Sequence, residues 1–70
     1  MIPLTMADVG KAFMIKKVGG KTETRRFLEN LGFIEGGEVT VISESEGNII
    51  VKVKESRVAI GKDMANKIMV

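Results

Sequence analysis

Hydrophobic and polar positions change period several times along this chain, and each change marks a predicted element. Ile2-Pro3-Leu4 predicts an extended entry, because Pro3 biases Ile2 away from helix, and Thr5 is placed to cap a single turn running to Asp8, ended by Gly10. From Lys11 to Val18 the period is two: Phe13 and Ile15 alternate with Ala12, Met14 and Lys16, which suits a first strand with one buried face. Gly19 and Gly20 stop it. The period then lengthens to that of a helix, with Thr22 as the N-cap and Glu23 near the positive end of the dipole. Phe27, Leu28 and Leu31 fall on one face, committed to the core, while Arg25, Arg26, Glu29 and Asn30 occupy the other. Gly32 stands where the residue past a helix adopts a left-handed conformation, and Phe33 after it can fold back onto Leu28.

Glu35-Gly36 predicts a tight turn with positive φ at Gly36, leading into a strand from Glu38 to Glu44 in which Val39 and Val41 alternate with Glu38 and Thr40. A meander follows. Ser45 to Asn48 is turn-rich, Ile49, Val51 and Val53 form the apolar phase of the next strand, and Lys54-Glu55-Ser56 turns again. Val58 and Ile60 point one way from a short strand, and Gly61 breaks it before Lys62 to Asn66, room for about one helical turn with Met64 and Ala65 inward. Ile68 to Val70 closes the chain. The pattern is mainly β with one inserted α-helix, and about five short strands hide their edges most economically by curling into a small barrel.

A chain of 70 residues makes one domain, residues 1–70, whose apolar core is only just large enough to hold it together. No apolar run approaches the length of a membrane span, and Asp8, Lys11, Lys16 and Lys17 interrupt the N-terminal apolar residues, so a soluble chain without direct membrane insertion is expected. The lack of cysteine favours the cytoplasm. The pI of 9.2 overstates the basicity: net charge is only +2, and with no histidine no side chain titrates between the carboxylates and the lysines. Three Phe without Tyr or Trp, and carboxylates scattered among the cations, argue against a nucleic-acid partner.

Candidate chemistry is correspondingly thin. Selective transition-metal sites lean on Cys and His; with neither, Asp8, Asp63 and the seven glutamates offer at most a weak oxygen-ligand site, so neither metal nor cofactor is expected. Ser43, Ser45 and Ser56 have no histidine to activate them, which makes the chain a non-enzyme. Gly19-Gly20-Lys21-Thr22 ends like a phosphate loop but has Ile15 where the first glycine is required. Arg25 and Arg26 beside the Phe33-Ile34 corner form a mixed basic and apolar patch of the kind that docks a partner, so Arg25, Arg26, Phe33 and Ile34 are the candidate partner-binding residues. The competing account is a solvated helix face with a weak Arg25–Glu29 pair.

The order of Leu4, Gly10, Ile15 and Gly19, then RRFLENLGFIEGGEVTV, GNIIVKV, VAIG and the run Ala65 to Val70, resembles the FeoA family over the whole chain. The resemblance implies a small cytoplasmic SH3-like β-barrel and a role as an accessory or regulatory protein of bacterial ferrous iron uptake. The implied partner is the cytoplasmic GTPase part of a FeoB-type membrane transporter. In one place the sequence departs from the family, which often has Pro where this chain has Glu35; the turn should survive, since Glu can adopt the φ that Pro pre-sets. Two other readings stand beside it. A stand-alone small barrel can act as an RNA- or DNA-binding module, and open barrel edges can pair copies into a weak homo-oligomer.

Overall fold

In the computed structural model, which describes Met1–Val70 throughout, the alternation from Lys11 to Val18 yields two strands, not one. β1 (Ala12–Met14) and β2 (Lys17–Val18) are separated by a corner at Ile15 and Lys16. Ile15 is buried there, its N–H donating to the Gly37 carbonyl at 2.8 Å and its carbonyl accepting from the Gly36 N–H at 2.8 Å. Beyond it the Lys16 N–H donates to the Met69 carbonyl at 2.8 Å, so the chain has changed partners. A period of two records which face a side chain takes but not which strand lies alongside, and so the corner is invisible to it.

The remaining elements follow as α1 (Thr22–Leu31), β3 (Glu38–Ser45), β4 (Asn48–Val53), β5 (Ser56–Gly61), α2 (Lys62–Ala65) and β6 (Ile68–Met69). A four-stranded antiparallel sheet runs in the order β1-β3-β4-β5, and β2 pairs with β6 in a second, two-stranded sheet. That small sheet is extended by the two ends of the chain, where Ile2 and Val70 exchange backbone hydrogen bonds of 2.9 and 2.8 Å. The six strands therefore make a small SH3-like fold without one continuous ladder around it. This is the expected mainly β, SH3-like architecture with one inserted helix; its strands number six because the first is split, and the four-stranded and two-stranded sheets are not joined into one closed ladder. A bulge at Ile42, between the pairs Val41↔Val51 and Ser43↔Ile50, puts an extra residue into β3 and bends the sheet.

Thirteen apolar residues form the core and no polar side chain is buried. The inward phases of the strands supply Val39, Val41, Ile49, Val51, Val53 and Ile60, as their alternation predicts. The helix contributes less than expected. Leu28 is fully buried and Leu31 half-buried, but Phe27 is 51% exposed. One residue along a helix is about 100° of rotation, so Phe27 lies at the margin of the covered stripe, and Phe33 takes the aromatic place in the core. The two threonine caps also differ from expectation. Thr22 is the first helical residue behind an extended Lys21, with no side-chain cap, and Thr5 lies inside a 3-10 turn, Leu4–Met6. Its hydroxyl donates instead to Asn66 Oδ1 at 2.5 Å, tying the N-terminal turn to the end of α2.

Candidate partner-docking surface

The corner that follows α1 is built by two backbone locks in succession. Gly32, at φ 111°, donates to the Glu29 carbonyl at 2.9 Å, and the Phe33 N–H donates to the Leu28 carbonyl at 3.0 Å. These two bonds satisfy carbonyls that the helix end would otherwise leave bare. Four residues on, the Gly37 N–H donates to the Ile34 carbonyl at 3.0 Å, with Glu35 and Gly36 as the central residues and Gly36 at φ 85°. This is a tight turn that requires positive φ at its second central position. Between the two locks Phe33 is driven inward and Ile34 is held out, 40% exposed.

The residues expected to form one patch are divided by this geometry. Phe33 is 0% exposed, and burial removes it from any docking surface; the first lock turns its side chain under the helix end. Arg25 and Arg26 are both exposed on α1, but they do not share a groove with Ile34. Arg25 lines a cavity of about 310 Å³ between α1 and β2, together with Val18, Glu29 and Glu35, one cation facing two carboxylates. Ile34 opens instead onto the outer face of the large sheet, into a cavity of about 220 Å³ lined also by Gly32, Gly37, Glu38, Thr40, Lys52 and Lys54. Arg26 sits on the part of the helix turned furthest from Leu28.

Phe27 is the surface residue that sequence reasoning missed. It lies on the flank of α1 away from Arg25, next to Arg26, so the helix presents an exposed aromatic beside a guanidinium. Aromatic residues and arginines are the side chains that most often anchor protein interfaces. Arg25, Arg26 and Phe27 thus combine charge with exposed apolar area on α1, while Ile34 is exposed separately on the sheet side of the corner. Nowhere do three or more Asp or Glu side chains gather at a spacing that could hold a metal ion. No helix is long and apolar enough to cross a membrane.

Known proteins with this pattern and fold bear on what the surface serves. The FeoA domain family matches residues 2–70. Over 70 residues the chain is 34% identical to "Putative Fe(2+) transport protein A" of Methanocaldococcus jannaschii, covering 100% of this chain and 85% of that protein. Among solved structures, the crystal structure of an iron uptake regulatory protein (FeoA) superposes with a TM-score of 0.86 at 31% identity, covering 96% of this chain and 89% of the other. Stenotrophomonas maltophilia FeoA complexed with zinc, described as a procaryotic SH3 domain protein, gives a TM-score of 0.84 over 99% of this chain and 88% of its own, and at 21% identity it speaks for the fold alone.

Proposed function

The chain belongs to the FeoA family, and on that premise we propose that it is an accessory protein of ferrous iron uptake. It acts by binding the cytoplasmic GTPase part of a FeoB-type transporter and catalyses nothing itself. The observation that carries this reading is the family match across residues 2–70, joined to a 34% identity with a protein named for Fe(2+) transport. The cytoplasm is its place in the cell, since there the partner's GTPase part is reachable. Arg25, Arg26 and Phe27 form the docking surface, because α1 carries two exposed guanidinium groups and an exposed aromatic on a helix whose end is held by backbone bonds.

The test is a titration of the purified GTPase part of the transporter from the same cells against this chain and against the double variant Arg25→Ala, Arg26→Ala. The variant should keep its melting temperature, because exposed charges contribute little to stability and Ala favours helix. Its affinity should fall about tenfold or more, roughly 1 to 2 kcal/mol. Iron-limited growth should fall with it. A folded variant that binds and supports growth like the parent moves the docking surface off α1, and a parent chain that shows no binding at all removes the partner.

A further inference from the structure

We infer that the outer face of the four-stranded sheet is a second docking surface, built for a short acidic segment of a partner protein that carries an apolar side chain. Strand register defines this face. Phe13, Val39, Val53 and Val51 point inward, so the alternate residues point out, and the ladders place Ala12, Thr40, Lys52 and Arg57 abreast across all four strands. Lys54 follows Lys52 along the same side and lines the cavity below Ile34. Lys52 and Lys54 thus line the cavity with one carboxylate, Glu38, and Arg57 adds a third cation on the strand beside Lys52.

Lys52 and Arg57 stand directly opposite each other on neighbouring strands, an arrangement that repels unless an anion lies between. Neither they nor Lys54 forms an ion pair. The molecule's one salt bridge, Lys62 Nζ to Glu44 Oε1 at 2.6 Å, is at the far end of the sheet. The face is also less polar than a solvated sheet surface should be: Met14 is 58% exposed, Ala12 and Ala59 are exposed, and Ile50 is half-buried in the same outward phase. The cavity of about 220 Å³ falls below the roughly 300 Å³ at which pockets for free small molecules begin, and suits a single side chain. None of the three phenylalanines lies on this face to stack a base, since Phe13 points inward, Phe27 is on α1 and Phe33 is buried. An acidic peptide is therefore favoured over a nucleic-acid strand. This inference does not depend on the α1 surface or on the transporter.

The test uses the full chain, labelled with ¹⁵N, and a capped synthetic peptide of one leucine between pairs of glutamates. Saturable amide shifts are expected at Gly32, Ile34, Gly37, Thr40, Lys52 and Arg57, with affinity falling as salt is raised. Lys52→Glu turns the repelling pair into an attracting one, so it should fold at least as stably as the parent while binding the peptide about tenfold more weakly or worse. The Arg25→Ala, Arg26→Ala variant should titrate like the parent, which separates this surface from the one on α1. Shifts that do not saturate, that map elsewhere, or that appear equally with lysines in place of the glutamates overturn the inference. So does an oligouridylate that moves the same amides more tightly, which would make the face a nucleic-acid surface.

Discussion

Two kinds of bend reverse this chain, and they are specified to different degrees. At the corner from Gly32 to Gly37, each position that needs a left-handed backbone is glycine: Gly32 at φ 111° and Gly36 at φ 85°. At the tips of the two hairpins the same kind of backbone is forced on ordinary side chains, Glu46 at φ 49° and Lys54 at φ 55°. A residue with a Cβ pays about 1 to 2 kcal/mol for that conformation. The corner, which sets where Phe33 and Ile34 point, is therefore relaxed, while the tips, which only reconnect strands already paired along their length, carry strain. Register in the meander is held by alternation and burial in β3, β4 and β5, so the turns between them can be poor.

Breaking the corner should cost most. Gly32→Val should destabilise the fold by about 1 to 3 kcal/mol, seen as a lowered melting temperature. Room is not the limiting factor: an added Cβ at Gly32 would meet Val53 Cγ2 at 3.5 Å, ordinary contact, so the loss comes first from the backbone angle. Gly32→Ala isolates that part, and should cost about 1 to 2 kcal/mol without the branched bulk. Melting temperatures equal to the parent's for both variants would show that the helix stop does not need its glycine.

What was legible in the sequence divides along the same line. Glycines that carry a backbone requirement announced themselves, so the helix stop at Gly32 and the turn at Gly36 could be placed from residue type alone. The inward phases of β3, β4 and β5 were equally plain. The split at Ile15 and Lys16 was not, because it depends on which strand each half meets. The bulge at Ile42 follows from register, again a property of two strands together. Of the candidate site, Arg25, Arg26 and Ile34 were read as surface and are exposed; Phe33 is buried, as its expected fold back onto Leu28 requires, which takes it out of the candidate site, and Phe27, expected in the core, is exposed. A helical wheel gives the angle between Leu28 and Phe27 but not the width of what covers them. Lys52 and Arg57 sit five residues apart and declared nothing until the β4–β5 ladder set them side by side.

Relieving a tip should move stability the other way and by less. Glu46→Asn creates Asn-Gly between the paired residues Ser45 and Asn48, the favoured dipeptide for a two-residue hairpin loop whose central residues both have positive φ. The gain should be about 0.5 to 1 kcal/mol, a rise of a few degrees in melting temperature. An unchanged or lowered melting temperature would mean that Glu46 bears no strain to relieve, and the contrast between tips and corner would fail on that side.

The smallest effect expected returns to the corner and asks whether a relaxed turn can still be improved. Glu35 is the first central residue of the turn closed by the Gly37 N–H on the Ile34 carbonyl, the position at which proline's fixed φ of about −65° is already suited. The Glu35 N–H donates no backbone hydrogen bond, so proline would remove nothing there. Glu35→Pro should therefore act chiefly on the unfolded chain, which loses conformations it would otherwise have to give up on folding, and should stabilise by about 0.4 to 1 kcal/mol. Proline also restricts the residue before it to extended backbone. If Ile34 were strained by that restriction, the variant would melt below the parent, and the Ile34 and Gly37 amide signals would shift as the corner rearranged. A small rise in melting temperature with those signals nearly in place would show that the corner is preset for this substitution. It would also show that the carboxylate of Glu35, which faces Arg25 across the groove between α1 and β2, is dispensable for folding.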